Sequence, residues 1–458
     1  MTTPTDGKMT AGKTTRVRWF LVFWLFILSA VSYLDRVNIS IAGGAIADAY
    51  HLTDVQLGKV FSALVAGYAL FQTLGGHLAD RYGPRRVLTA GVVWWGIFTA
   101  LTAVVPPNIA GALLLFIVVR FLLGAGEAVI YPAANQFVAR WIPVRERGIA
   151  NGWIFAGVGA GAGLTPPLIT YLMLHYGWRS SFWVCAVIGL LAGLVWFVAA
   201  RDGPEGHPRV SASELAAIRS GLTLPAPGKE SIPEARADTR VLVSWRQVLQ
   251  SREVWAVTIS YFCYGYVAWI FFSWFYRYLA KVRGLDLKTS ALYSMLPFLA
   301  MLVGCLLGGA INDRLTSWRG PRLGRCGLAA FAMAVAGLFI AFGSQVQGAR
   351  LASVVLAGGA GMLYLSQSSF WSLTADIAGR SSGSVSGFMN MGGQIGGAVT
   401  GSLTPWIALY YGWTASFLVA AALCLLGAVC WLVVDPLNLL ASTRSSSGAQ
   451  AETSASVF

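Results

Sequence analysis

The sequence predicts an all-α membrane protein of twelve transmembrane helices in two pseudo-symmetric bundles of six. Three observations predict it. The chain of 458 residues is 56% hydrophobic and only 11% charged, against about 25% charged residues in a soluble domain, and its mean hydropathy is +0.64. Apolar runs of about 20 residues recur along it, whereas a β-barrel alternates over roughly ten-residue segments. The second half also repeats motifs of the first. A soluble enzyme of this composition would expose large apolar patches and is excluded.

The first span needs the most justification. Lys8, Lys13, Arg16 and Arg18 precede an apolar stretch from Trp19 to Tyr33, the layout of a signal peptide. The apolar character resumes beyond Asp35 and Arg36 and runs to Ala47. A cleaved apolar region is only about 7–15 residues long, so the segment reads as an uncleaved helix interrupted by charge. Hydropathy and breakers then place spans at 18–47, 55–79, 86–105, 110–139, 147–173 and 180–200. A second set falls at 253–280, 289–312, 324–344, 350–377, 382–409 and 413–434. The expected domains are a cytoplasmic segment 1–17, an N-terminal bundle 18–200, a cytoplasmic loop 201–251, a C-terminal bundle 252–435 and a disordered tail 436–458 rich in Ser and Ala. Within the loop, Ser211-Ala-Ser-Glu214 ahead of Leu215 predicts a capping box on a short surface helix.

The net charge of +14 follows from the same layout. Excess Lys and Arg gathers in cytoplasmic loops of membrane proteins, and nucleic acid is not an expected partner. With both termini inside, about 24 of these residues fall on the cytoplasmic side and about six outside, namely Lys59, Arg179, Lys281, Arg283, Lys288 and Arg350. The expected location is therefore the cell inner membrane, multi-pass, with both termini cytoplasmic. Six cysteines lie in or beside apolar runs without CxxC spacing or a Cys/His cluster, so neither a metal nor a disulfide framework is expected.

The repeat is specific. Tyr176-Gly-Trp-Arg-Ser-Ser-Phe182 returns 235 positions later as Tyr411-Gly-Trp-Thr-Ala-Ser-Phe417, and Trp196 and Trp431 share that offset. Asp80-Arg81 returns as Asp313-Arg314 after 233 positions, and Leu164-Thr-Pro166 as Leu403-Thr-Pro405 after 239. Parallel repeats of this kind belong to secondary transporters, with substrate between the halves near the bilayer midplane.

An ionisable side chain at membrane depth is a functional candidate by default. On this segmentation there are four: Asp35, Arg36, Arg120 and Glu127. Arg120 and Glu127 are two turns apart on one face of the fourth span, about 10 Å. Asp35 and Arg36 point about 100° apart and cannot face one partner. A guanidinium keeps its proton and suits recognition of a carboxylate. A carboxyl group in an apolar site can change protonation near neutral pH. Neutral polar groups at similar depth are Tyr68 and Gln72 on the second span, Tyr264 on the seventh, Ser369 on the tenth, and Asn390 and Gln394 on the eleventh; plain interhelical hydrogen bonding is the alternative for each. Gly157-Val-Gly-Ala-Gly-Ala-Gly163 and Gly392-Gly-Gln-Ile-Gly-Gly397 lack the strand and the Lys-Ser/Thr of a phosphate loop and suit close helix crossings.

Two motifs carry a family resemblance. Gly75-Gly-His-Leu-Ala-Asp-Arg-Tyr-Gly-Pro-Arg-Arg86 resembles the loop signature of the major facilitator superfamily, with Gly76, Asp80, Arg81, Gly83, Arg85 and Arg86 matching and Asp313 and Arg314 in the weaker second copy. The resemblance implies a conformational latch that steadies the outward-facing state. Tyr33-Leu-Asp-Arg-Val-Asn38 resembles an element of the anion:cation symporter family, which includes bacterial sugar-acid uptake systems, sialin and vesicular glutamate transporters. Arg120-Phe-Leu-Leu-Gly-Ala-Gly-Glu127 and Trp141-Ile-Pro-Val-Arg-Glu-Arg147 support it. By that resemblance Asp35 and Glu127 carry protons and Arg36 contacts substrate. Arg120 orients the acid or attracts the anion, and Tyr33, Tyr68 and Asn390 are substrate contacts. Sugar-acid members often carry an amide near the middle of the fifth span, where this chain has Ala156, Val158 and Ala160.

The expected function is proton-coupled import of an organic anion, a sugar acid such as a hexuronate, aldonate or aldarate, by a monomer in the lipid bilayer that uses protons and no cofactor. Alternatives are an exchanger or exporter of another carboxylate such as an aromatic acid, or a non-transporting membrane receptor. No constellation of an enzyme is present, with the four His scattered at His51, His77, His175 and His207.

Overall fold

The computed structural model describes residues 14–222, 242–275, 278–285 and 287–440; most of the expected tail, and Pro225, Pro227 and Pro233 of the central loop, lie outside these. The N-terminal bundle comprises α1 (Val17–Tyr50), α2 (Asp54–Tyr82), α3 (Pro84–Val104), α4 (Ala112–Glu127), α5 (Ile130–Trp141), α6 (Arg147–Tyr176) and α7 (Trp178–Ala199). Short α8 (Ala212–Gly221) and α9 (Trp245–Gln250) lie between the bundles. The second bundle comprises α10 (Arg252–Ser273), α11 (Leu287–Arg319), α12 (Leu328–Gln345), α13 (Ala349–Leu365), α14 (Gln367–Ala378), α15 (Ser382–Tyr411) and α16 (Trp413–Val433). Among the described residues, eleven stretches are long and apolar enough to cross a membrane, and the longest, 349–411, holds two crossings joined by the turn at 379–381. Large apolar side chains face outward around the bundle, among them Leu70, Leu174, Leu338, Leu409 and Leu432, which suits contact with acyl chains.

Two expected single spans are broken. The fourth is interrupted between α4 and α5, where Pro132 can give no N–H to the carbonyl of Ala128 and its ring crowds that carbonyl. The tenth breaks at Ser366, whose hydroxyl donates to the Leu363 carbonyl at 2.6 Å and competes with the helical ladder. The repeated Tyr-Gly-Trp has a plain cause. Gly177 and Gly412 sit at φ +78° and +85°, ending α6 and α15, and Trp178 and Trp413 start the next helices. Trp196 and Trp431 are equivalently buried.

The capping box of the central loop is half formed. Ser211 Oγ accepts from Glu214 N at 3.2 Å, but the Glu214 carboxylate turns away to the start of α1. There it accepts from Thr15 Oγ1 at 2.6 Å and from the backbone N–H groups of Val17 and Arg18, each at 3.2 Å. A carboxylate against these free N–H groups is favourable, and it ties the loop to the first helix.

The face that bears the start of α1 and the end of α16 is closed. Asp80, on α2, accepts from the N–H groups of Gly383 and Ser384 at 2.9 and 2.7 Å and from Ser384 Oγ at 2.5 Å. Asp313, on α11, accepts from Gly148 and Ile149 N–H at 2.8 and 2.6 Å. Asp376 joins Arg147 of the first half (2.6 Å) to Arg325 of the second (3.0 Å). Arg325 also reaches Asp313 at 3.1 Å, donates to Asn312 and to the Val144 carbonyl at 2.6 Å, and is fully buried. Arg147, Arg325 and Asp376 lie near the ends of their helices, and their burial comes from the opposite half, which hydropathy along one chain cannot register.

Candidate functional site

Above this closed floor, between the halves, lies a cavity of about 870 Å³. Its lining starts at the level of Arg36 and runs toward the face away from the chain ends, through Ser40 on α1, Pro166 and Pro167 on α6, Trp269 and Ser273 on α10 and Ser294 on α11. The hydrogen bonds between halves lie below it or at its floor, so the cavity opens toward that far face.

Arg36 stands at the cavity wall. Its Nε donates to Glu127 Oε2 at 2.7 Å, with side-chain exposures of 10% and 0%. Its guanidinium lies 3.9 Å from the centre of the Tyr68 ring and 5.2 Å from that of Tyr33, positions favourable to a cation. One further nitrogen, Nη2, is buried without a partner, and so is Glu127 Oε1. The pair is made by the break after α4. Glu127 ends that helix and reaches across to α1.

Asp35 lies on the other side of α1, away from the cavity and 1% exposed. Thr99 Oγ1 of α3 donates to its Oδ2 at 3.4 Å, while Oδ1 has no partner. Arg120 lines the cavity from α4, 1% exposed, within electrostatic reach of both Asp35 and Glu127. The four buried charges expected from sequence thus form one cluster.

Asn390 donates to Gln72 Oε1 at 2.8 Å and to Tyr68 Oη at 3.4 Å, so a residue of α15 meets two of α2 at the cavity floor. Asn390, Tyr33, Tyr68, Tyr264 and Gln394 line the cavity; Gln72 sits behind Asn390 and orients it. Ser369 departs from its expected place. It faces the closed floor, accepting from Asn312 Nδ2 at 2.7 Å, because the break at Ser366 turns α14 away from the line of α13. Sequence reasoning missed Tyr131, Tyr261, Tyr364 and Gln367 as lining residues. Gln367 donates to Tyr261 Oη at 3.0 Å, and Tyr261 stacks on Tyr264 with ring centres 5.0 Å apart.

Of the expected latch, Gly76, Asp80 and Asp313 meet the opposite half. A Cβ added at Gly76 would come within 2.0 Å of the Gly383 carbonyl oxygen. Gly83, at φ +90°, starts the turn into α3. Arg85 stays within its own half, with its backbone N–H on Asp202 at 2.9 Å and its Nε on the Phe197 carbonyl at 2.9 Å. Arg81, Arg86 and Arg314 are exposed and, among the described residues, make no ion pair with the opposite half. Arg325, Arg147 and Asp376 supply the charge pairing instead.

Known proteins share this architecture. The sequence pattern of the Major Facilitator Superfamily matches residues 25–401. The protein named "Probable sulfoacetate transporter SauU" of Cupriavidus necator is 34% identical over 437 residues, covering 94% of this chain and 97% of its own. "Probable galactarate/D-glucarate transporter GudP" of Bacillus subtilis is 33% identical over 309 residues, 67% of each chain. Among solved structures, the proton:xylose symporter XylE superposes with a TM-score of 0.71 at 16% identity, over 91% of this chain and 96% of that one, a likeness of fold.

Proposed function

Because the chain belongs to the Major Facilitator Superfamily, in its anion:cation symporter family, we propose that it is a proton-coupled symporter importing a small organic anion across the cell inner membrane. The observation that carries this reading is the buried ion pair between Arg36 and Glu127 at 2.7 Å, on the cavity wall. An incoming carboxylate or sulfonate competes with Glu127 for the Arg36 guanidinium. Once displaced, Glu127 is an unpaired carboxylate in a dry site, where the charged form is strongly disfavoured, and it takes a proton. Anion and proton then load together, since neither is favoured alone.

Asp35 is the second proton carrier in this reading, communicating with the cavity through Arg120. In this reading both termini are cytoplasmic, and the closed floor corresponds to an outward-facing state. Rocking of the two halves about the site, while the bonds of Asp80, Asp313 and Asp376 break, delivers the load inside. We read the working unit as a monomer. Sulfoacetate and galactarate or glucarate, the solutes named for two relatives, are organic acids of the proposed kind, and a sugar acid remains the substrate proposed. The aromatic wall, with Phe155, Tyr261, Tyr264 and Phe272 and no amide at Ala156, Val158 or Ala160, favours an aromatic carboxylate as a second class carried by the same mechanism.

Uptake into proteoliposomes under an imposed inward proton gradient tests the reading. Labelled sulfoacetate, aldarates, hexuronates and aromatic acids should include one that accumulates above its outside concentration, and a protonophore should abolish that accumulation. Accumulation indifferent to the protonophore would overturn proton coupling.

A further inference from the structure

Among the described residues, the buried guanidinium groups of Arg36, Arg147 and Arg325 each pair with a carboxylate, and that of Arg120 does not. Arg147 donates to Asp376 at 2.6 Å and to the Ala139 and Ile142 carbonyls at 3.0 and 3.3 Å. Arg325 has Asp313, Asp376, Asn312 and the Val144 carbonyl. Arg36 has Glu127 and two aromatic faces. Arg120 is 1% exposed and lines the cavity, yet among the described residues it makes no hydrogen bond and no ion pair, and its Nε is buried without a partner. An unpaired guanidinium at this depth is costly. A fold that gives each of those arginines a carboxylate partner and leaves this one open toward the cavity has left a place for an acceptor that comes with the load.

We propose, building on the transport reading above, that the substrate is a dianion with two separate acidic groups, one held by Arg36 and the other by Arg120, and that two protons accompany each anion.

The charge balance of the site follows. Asp35 and Glu127 against Arg36 and Arg120 leave the empty site neutral. A dianion bound while both acids stay ionised would put two uncompensated negative charges in a water-poor cluster. Protonation of both acids leaves two guanidinium groups facing two acidic groups, which is neutral again. Glu127 faces Arg36 on α1 and Arg120 on its own helix. Asp35 faces Thr99 on α3, Cys185 on α7 and Arg120 on α4. Tyr33, Tyr68 and Tyr131 surround Arg36. No Lys or His stands in this cluster among the described residues, so the two acids are the groups available to absorb the charge of the load. Two protons per dianion also makes each turnover electroneutral.

The test uses pairs matched in size and differing in charge, with the full-length protein in proteoliposomes: sulfoacetate against isethionate, and glucarate against gluconate. Initial uptake gives relative KM, and the pH gradient that just holds a set accumulation gives the proton count. The expected result is a preference for the dianion of roughly tenfold or more, the scale of one charge-assisted hydrogen bond, with two protons each and no response to membrane potential. Arg120→Gln should erase the preference and lower the proton count, and Arg120→Lys should restore part of the preference. Equal KM within both pairs, or one proton per anion, overturns the dianion assignment while leaving proton coupling intact. Failure to bind or transport any of the four also overturns it. Protonophore-insensitive accumulation overturns the coupling reading instead.

Discussion

Asp80 and Asp313 perform the same act in opposite directions. Each reaches from its own half into the other and accepts from two consecutive backbone N–H groups in the first turn of a long helix, Gly383 and Ser384 of α15 for Asp80, Gly148 and Ile149 of α6 for Asp313. The first N–H groups of a helix have no partner within it, and the helix end favours negative charge. Each carboxylate therefore serves as a cap borrowed across the interface. The caps exist only while that face is closed, which gives the repeated geometry of the two halves a conformational consequence.

Removing one cap should shift the conformational balance. Asp80→Ala deletes charged hydrogen bonds of about 1.5–3 kcal/mol, enough to move a two-state equilibrium roughly tenfold or more. A thiol placed on the cavity wall by Ser40→Cys should then react correspondingly more slowly with an impermeant reagent added from the side opposite the chain ends. An unchanged rate would show that the cap does not hold this state.

Close approach at the same seam can be tested sterically. A Cβ at Gly76 meets the Gly383 carbonyl oxygen at 2.0 Å, whereas one at Gly44 meets nothing within 4 Å. Gly76→Val should reduce counterflow to background in protein that remains monodisperse, because the floor cannot close. Gly44→Ala should transport normally. Equal activity of the two variants would remove the seam from the transport cycle.

Glu127→Gln and Asp35→Asn separate coupling from movement. Both should abolish accumulation driven by a proton gradient, while counterflow exchange survives at a reduced rate. In Asp35→Asn the anion should still bind, since Asp35 lies off the cavity. Normal gradient-driven accumulation in both would end the assignment of these acids as proton carriers.

Arg36→Ala removes the anion's principal charged contact and leaves Glu127 buried without its partner, a loss on the order of 3–5 kcal/mol for a broken buried pair. The expected outcome is transport lost, or KM raised by roughly a hundredfold or more. A double variant, Arg36→Ala with Glu127→Gln, should recover folding yield but not affinity. Normal uptake in the single variant would place the anion site elsewhere.

Much of this was legible in the sequence because it depends on local pattern. Span lengths, the Tyr-Gly-Trp turn and the four charges at membrane depth are properties of consecutive residues, and the structure gathers those four into one cluster. What escaped depends on neighbours far along the chain. Asp376, Arg147 and Arg325 look like surface charges at span ends until the other half covers them. Ser369 has the depth of a cavity residue, but the turn at Ser366 directs it to the floor. The arginines of the latch motif share its spacing with Asp80, yet Arg81 and Arg86 remain exposed while Asp80 and Gly76 meet the opposite half.

The central claim is that the anion and Glu127 compete for Arg36, so that loading the anion loads a proton. Proton uptake on binding measures this directly: a transported anion, pre-adjusted to the same pH, is added to purified protein in weakly buffered solution and the change in pH is recorded. The account predicts alkalinisation in proportion to bound anion, and a clear loss of that signal in Glu127→Gln although anion still binds. Saturable binding to the unaltered protein with no proton taken up would contradict it.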